Sequence, residues 1–533
     1  MIFHSSLAKM QSTFTFVFLF LSSTLILAAQ QEYESNPLLP IIPSVDGSVK
    51  VTLIYPESGM ARPNVKRNFI FGSVGTAKAV LTINGDTVPV APNGAFLGFL
   101  PLPKDGVYTL IAEQGEERDT LLYTFSTPTP GVRSPRVRNL YEKPKLGIVT
   151  KGVDTLASGS DIAYGAPTKT ADRQWFFPIG ARFPVYERDG DHVRIDLAGE
   201  TAWVEREYIT TSSAEPETSE VNLDIDVADA EQWVDLTMQV GYAPFRIDPQ
   251  EKSVTFTFYN ALSFDLENEI DKTSETGYTV SNLPNYLVEG YHWSGDDEKA
   301  IVTLRIDLRR KLWGFKAFYD ESGQLVLRLR RPNAISAENP LRGLIIMVDA
   351  GHPPRGASGP TGLSEADANL AIALELEKQL KAKGAQVLMT RRDENPLLTD
   401  TNATMELSAR VAYAVRHNAD ILISIHNNGF SDGVNPWEKN GTETYYYHAF
   451  SSDLARALQE EIVEVTNVPS LGYKQRSLSL TRPTWMPAVL TESLYMMHPQ
   501  QEQALRDPQF LEKLAAAHVR GIERFVRGMV GGS

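Results

Sequence analysis

Four ionisable residues in the last third of the chain stand where an apolar run stops or a helix begins. "LIIMVDAG" runs into His352, "DILISI" ends on His426, "PAVLT" ends on Glu492, and Glu365 opens the run "EADANLAIALELEKQLKAKG". Two histidines and a carboxylate are a normal protein ligand set for catalytic zinc, with the fourth position left to water. A second carboxylate beside that water can take its proton and later deliver it to a leaving amine. His352, Glu365 and His426 are the candidate metal ligands on this reading, and Glu492 is the candidate base and acid. Taken singly, each has a plainer role. Glu365 can be a carboxylate placed favourably at a helix N-terminus, His426 a polar end to a strand, and Glu492 a salt-bridge partner. The remaining histidines do not share the pattern: His417 sits in a helical tail, and His448 and His498 fall just past their strands. His448 is the substitute ligand should His426 not be one. His518 lies on an apolar helical stripe and reads as a core or rim residue.

For residues up to 140 positions apart to meet, the fold must deliver them to one edge. After Leu341, strand-like runs alternate with long helical patterns, which argues for βαβ units and a largely parallel sheet. The strand candidates are "LIIMVDA", "AQVLMTR", "DILISIH", "TETYYYH" and "PAVLTES". In such sheets the ligand crevice lies beyond the carboxyl ends of the strands. Right-handed crossovers bring His352, His426 and Glu492 to that rim, and Glu365 joins them by opening the helix after the first strand. That helix is expected to pack through Leu370, Ala373, Leu374 and Leu380, with Gly384 as its stop. A final helix from about Pro508 to Val526 carries Leu511, Leu514, His518, Ile522 and Phe525 on one stripe.

The fold class expected for the whole chain is multidomain: three small all-β modules, then a C-terminal α/β catalytic domain whose largely parallel sheet is flanked by helices. A length of 533 residues exceeds one ordinary core. Joints rich in Pro, Ser and Thr fall at Ser126–Arg138, Thr210–Glu220 and Arg331–Pro340. They divide the chain into 45–127, 145–211, 220–332 and 342–530. Residues 45–127 alternate with turn signals, including Asn84-Gly85, a strong type I′ hairpin signal. They resemble bacterial immunoglobulin-like sandwiches. In 145–211 an Arg-Asp-Gly-Asp turn, then Trp203 and Tyr208-Ile209, resemble a bacterial SH3-like barrel; Trp203 alone reads as core. Strand rhythm in 220–332, ending in "AIVTLRIDLRRKLWGFKAFYD" and "QLVLRLRRP", is similar to the AMIN module.

A net charge of −15 disfavours nucleic acid as a partner, because phosphate binding is driven by basic surface. Lys9, the apolar run "STFTFVFLFLSSTLILAA" and the small residues Ala28 and Ala29 form the pattern of a secretory signal peptide over 1–29. No second stretch is long and apolar enough to span a membrane, so no membrane span is expected in the mature chain. The expected location is exported, in the periplasm or cell envelope. The absence of cysteine excludes a disulfide framework and a lipid-anchoring cysteine.

"VDAGHPPRGASGPTGLSEADANLAIALELEKQL", "LMTRRDE", "LSARVAYAVRHNADILISIHNN", "GTETYYY" and "MPAVLTES" together resemble the zinc-dependent N-acetylmuramoyl-L-alanine amidase family. The resemblance covers 342–530. It implies that His352, Glu365 and His426 bind one Zn2+ per catalytic domain and that Glu492 is catalytic. It further implies a peptidoglycan hydrolase that cuts the amide between the muramic acid lactyl group and L-alanine. The N-terminal modules would then place the enzyme on the wall or on envelope proteins. Two other readings stay open: a zinc peptidase acting on another stem-peptide amide, and a non-catalytic wall-binding protein on an amidase fold. Two departures from the family stand out. Pro353-Pro354 replace glycines after the first histidine, and Ser493-Leu494-Tyr495 replace a Val-Gly-Phe run. The stretch from Asn428 to Thr442 offers no room for a long inserted helix, so an open cleft is expected.

Overall fold

The computed structural model describes residues 36–530 apart from 128–137, 152–162, 165–172, 176, 178, 216–217, 223, 265–278, 282–286, 333–334, 354–355 and 399–402. The expected signal peptide and Pro354 lie outside the described residues. Among the described residues, no helix is long and apolar enough to cross a membrane.

The N-terminal region consists of small, almost wholly antiparallel sheets. Strands β1 (Thr52–Tyr55), β2 (Arg67–Ser73), β3 (Val80–Ile83), β4 (Asp86–Val88), β5 (Ala95–Pro101), β6 (Val107–Gln114) and β7 (Glu117–Thr124) form two sheets, ordered β1-β2-β5 and β4-β3-β6-β7. They share one core that includes Ile70, Leu81, Ile83, Phe96, Tyr108 and Leu110. Asn84 and Gly85 turn the β3–β4 hairpin with φ of +50° and +89°, the two positive values a type I′ turn requires. A second sheet system is built around Arg138–Val149, Arg182–Asp189, His192–Leu197 and Glu200–Glu205. There Ala202 and Val204 point into the core while Trp203 is only half-buried. Alternation along the strand put Trp203 on the outer face, so its expected core role is corrected. Two further sheets, one around Trp233–Met238 and Leu325–Arg330 and the other around Ser253–Tyr259 and Ile301–Leu308, bury Phe256, Phe258 and Trp293 between them.

The C-terminal region is α/β. In chain order it contains β8 (Ile345–Ala350), α1 (Glu365–Ala382), β9 (Gln386–Met389), α2 (Ala403–Arg416), β10 (Ile421–Asn428), α3 (Pro436–Lys439) and β11 (Thr442–Tyr446). Then follow α4 (Ser452–Thr466), β12 (Ser470–Gln475), β13 (Ala488–Tyr495), α5 (Pro499–Arg506) and α6 (Pro508–Val530). The sheet order is β9-β8-β10-β13-β11-β12. Pairing is parallel throughout except between β13 and β11. Strands β8 and β10 are almost entirely buried, as expected of a parallel sheet covered on both faces. Helix α1 packs through Ala368, Asn369, Ile372, Ala373, Leu376 and Leu380, while Leu374 is exposed. Ala373 and Leu380 are thus buried as expected and Leu370 packs partly against the core, so only Leu374 departs from the expected stripe, on which Glu365 also falls.

The two regions pack closely. Tyr55, Phe69, Phe71 and Leu97 of the first sandwich form a cluster with Phe430, Tyr495 and Met497. Asp432 accepts hydrogen bonds from the Tyr55 hydroxyl and, at 2.8 Å, from Asn68 Nδ2. Leu39 and Trp313 lie inside the C-terminal core. Arg330 reaches Asp420 at 2.6 Å in a buried ion pair.

Candidate metal centre

The parallel strand β8 ends at Ala350, and Gly351 donates its amide to the Ile425 carbonyl of β10 at 3.0 Å. Gly351 must be glycine because a Cβ there would stand 2.4 Å from the His426 ring. His352 follows in the left-handed region, with φ +63°, a conformation costly for a residue with a Cβ and characteristic of functional sites. His426 lies near the end of β10, with Glu492 as its cross-strand neighbour on β13. Glu365 is the first residue of α1, whose N-terminus is capped by the Ser364 side chain accepting from the Asp367 amide. The site is thus a product of three strand ends and one helix start.

These elements bring His352, Glu365 and His426 together. His352 Nε2 is 3.2 Å and His426 Nδ1 3.0 Å from the same carboxylate oxygen, Glu365 Oε1. One ligand atom from each residue lies within 4.8 Å of the others, so the group can hold a metal ion. Glu365 is only 5% exposed, and its other oxygen, Oε2, accepts from the Ala357 amide at 2.8 Å. Burial alone would push the Glu365 carboxyl up, but hydrogen bonds from His352 and His426 outweigh it and hold the carboxyl well below the usual range. A carboxylate kept ionised beside two imidazoles, with one oxygen anchored by backbone, is the donor set a divalent zinc ion takes.

A buried polar frame fixes the turn that carries His352. Arg410 donates to Asp349 at 3.2 Å and to the carbonyls of His352 and Pro353 at 3.3 Å. Asp349 also accepts from the Ser424 hydroxyl at 2.6 Å. Arg391 donates to the carbonyls of Ala350 and Gly351 at 2.9 and 3.0 Å. Glu502 of α5, fully buried, accepts from the amides of Thr361 and Leu363 and from the Thr361 hydroxyl. That holds the segment Thr361–Leu363, which leads into Glu365.

Glu492 stands beside this cluster on β13. Its Oε2 is buried without a hydrogen-bond partner. Burial first, then the neighbouring carboxylates Glu365 and Glu443, push its pKa well above the ordinary carboxyl value. A buried carboxyl with a free oxygen and a raised proton affinity is suited to proton transfer. Glu443 itself was not among the sequence candidates. It pairs with Glu492 across β11 and β13, and is held by Asn428 Nδ2 at 2.7 Å and Lys474 Nζ at 2.5 Å. The signal that could have found it is the early charge in "GTETYYY", read with the strand running in the opposite direction.

The other histidines lie elsewhere. His448 is buried against Phe450 and its Nε2 donates to the Arg482 carbonyl at 2.9 Å, away from the cluster, so it is no substitute ligand. His498 stands at the N-cap position of α5 without a side-chain cap, and His417 bonds back to Tyr413. His518 is a core residue between the Leu514 carbonyl and the Thr491 hydroxyl.

A family model described as N-acetylmuramoyl-L-alanine amidase matches residues 346–524. The chain is 31% identical over 201 residues to the uncharacterized protein YqiI of Bacillus subtilis, covering 36% of this chain and 90% of that protein. It is 32% identical over 194 residues to the probable cell wall amidase LytH of Staphylococcus aureus, covering 35% of this chain and 60% of LytH. The match thus spans less than two thirds of LytH. Among solved structures, the catalytic domain of CwlV, an N-acetylmuramoyl-L-alanine amidase of Bacillus (Paenibacillus) polymyxa, is 31% identical with a TM-score of 0.31, covering 34% of this chain and 97% of that one. An N-acetylmuramoyl-L-alanine amidase from Clostridium difficile is 27% identical with a TM-score of 0.30, covering 34% and 95%.

Proposed function

The chain belongs to the N-acetylmuramoyl-L-alanine amidase family through residues 346–524, and on that premise we propose that it hydrolyses peptidoglycan at the amide joining muramic acid to L-alanine. One observation carries the reading: His352 and His426 converge on one oxygen of Glu365, with the unpartnered Oε2 of Glu492 beside them. His352, Glu365 and His426 would hold Zn2+. When bound, the ion supplies Lewis-acid polarisation of the scissile carbonyl and lowers the pKa of water to about 7. Glu492 takes the proton released by the attacking water. It then returns that proton to the L-alanine nitrogen as the amine departs. Arg410 and Arg391 hold the backbone on which His352 turns, so the ligand is positioned before substrate arrives.

The other parts of the proposal concern where the enzyme works. The N-terminal pattern over 1–29 reads as an export signal, placing the protein in the periplasm or envelope. The segments 45–127, 145–211 and 220–332 read as immunoglobulin-like, SH3-like and AMIN-like modules preceding the catalytic domain 342–530. Binding of wall or envelope proteins is their proposed role.

Digestion of purified peptidoglycan by wild-type protein and Glu492→Gln, with bound zinc measured in both, tests the assignment. The expected result is equal zinc and activity reduced about 10²–10⁴-fold. Equal activity in the two proteins would remove Glu492 from the mechanism.

A further inference from the structure

The carboxyl rim of the C-terminal sheet continues past the metal cluster. Beyond β13 it is formed by the turn at α3, the starts of β11 and β12, and the N-terminus of α5. Between these and strands β4 and β5 of the first sandwich lies a cleft of about 1300 Å³. Strand spacing of about 4.8 Å puts β12 roughly 15 Å from β10, so the cleft lies a few substrate units along the same rim.

Its catalytic-side wall carries Trp437 and His498, backed by a chain of packed rings. Phe430, two residues past β10, stacks on Tyr495 at 4.1 Å, and meets His498 edge-on at 6.4 Å. Trp437 meets His498 at 5.1 Å, and His498 Nε2 donates to the Pro436 carbonyl at 3.0 Å. The Trp437 ring is therefore held in place while the residue stays 41% exposed. The opposite wall carries Arg67, whose guanidinium lies over Phe99 at 5.3 Å and donates to the Phe99 carbonyl at 2.6 Å. Glu438, Asn440 and Gln501 are among the polar residues that line it.

This combination has a definite chemistry. A fixed, exposed indole offers a flat apolar face to the C–H face of a sugar ring. Carboxylate, amide and guanidinium groups around it match hydroxyls and acetamido groups. One cation and one carboxylate give the cleft no strong net charge, which favours a neutral glycan over the carboxylate-bearing stem peptide. We propose that this cleft is a glycan subsite that takes N-acetylated sugar units a few residues along the strand from the muramyl amide being cut. The choice of polymer rests on the amidase reading.

The test uses the full chain and tetra-N-acetylchitotetraose as probe, with two substrates: polymeric peptidoglycan and a short muramyl peptide without flanking sugars. Trp437→Ala is expected to weaken chitotetraose binding about tenfold and to raise KM for the polymer more than for the short substrate. Trp437→Phe should recover most of the binding. Arg67→Ala, at an exposed position on the other wall, should act in the same direction and keeps the test decisive if Trp437→Ala misfolds. Chitotetraose bound equally by wild type and both variants, or not at all, would overturn the proposal. So would displacement from Trp437 by stem peptide alone. If Trp437-dependent sugar binding is found but no muramyl amide is cut, the amidase reading falls and the glycan subsite stands. Glu492-dependent cleavage without Trp437-dependent sugar binding gives the reverse.

Discussion

His518, His448 and His498 make a pH prediction that does not depend on any metal. Burial pushes each imidazole down to about 4. In His518, Nδ1 donates to the Leu514 carbonyl, so a neutral Nε2 accepts from Thr491. A protonated ring loses that acceptor. Because the folded pKa lies below the unfolded value of about 6.5, the unfolded chain binds more protons in between. The stability contributed by the neutral rings is complete above about pH 6.5 and is lost as pH falls toward about 4. Urea midpoints measured from pH 7.5 to 4.5 should fall through that window, and His518→Gln should flatten the slope. A midpoint independent of pH would sink the idea. At this scale the sequence was informative where a residue ended an apolar run, which is how His352, His426 and Glu492 stood out. Glu443 escaped because β11 runs antiparallel to β13 and brings its first residues, not its last, to the rim. Strand direction leaves no mark in hydrophobic alternation.

Helix α5 is short, yet it supports the site through one side chain. Glu502 is fully buried and accepts from Thr361 and Leu363, fixing the segment that leads into Glu365. A Cβ at Gly359 would stand 2.4 Å from the Glu502 carboxyl, so loop and carboxylate are in contact. Glu502→Ala would leave two backbone donors without acceptors, at about 1–3 kcal/mol of stability. Chelator competition should then show weaker zinc binding, since Glu365 loses its fixed approach. Unchanged stability and unchanged zinc affinity would contradict this support role. The parallel sheet, its helices and most strand positions were legible from periodicity and apolar runs. Strand β12 was not, because "SLGYKQ" is an exposed edge strand without alternating burial. On α1 only Leu374 was misplaced, because it looks like core by type alone, whereas Asn369 is buried to donate toward Gly351 and Glu365.

At the scale of the molecule, the C-terminal region does not stand apart from what precedes it. Leu39 and Trp313 fill its core, and Arg330 neutralises the buried carboxylate of Asp420. Phe69, Phe71 and Tyr55 cover the rim loop at Phe430 and Asp432. These contacts join residues hundreds of positions apart, through loops without periodic signal, so linker composition could not reveal them. The short stretch from Asn428 to Thr442 holds the one-turn helix α3, and its neighbour is the first sandwich. Arg330→Ala in the full chain should cost about 3–5 kcal/mol, because it removes the cation from a buried ion pair with Asp420. Guanidinium unfolding reads that loss directly, and a change under 1 kcal/mol would show the pair to be dispensable. The same argument predicts that residues 342–533 alone are less stable than the intact protein. The most direct measurement of the central claim is the mass of the fragments that wild-type protein releases from purified peptidoglycan. Intact stem peptides with a free amino group on L-alanine are expected, with glycan strands left bearing bare lactyl carboxylates. Stems cut at another amide and still attached to muramic acid would contradict it.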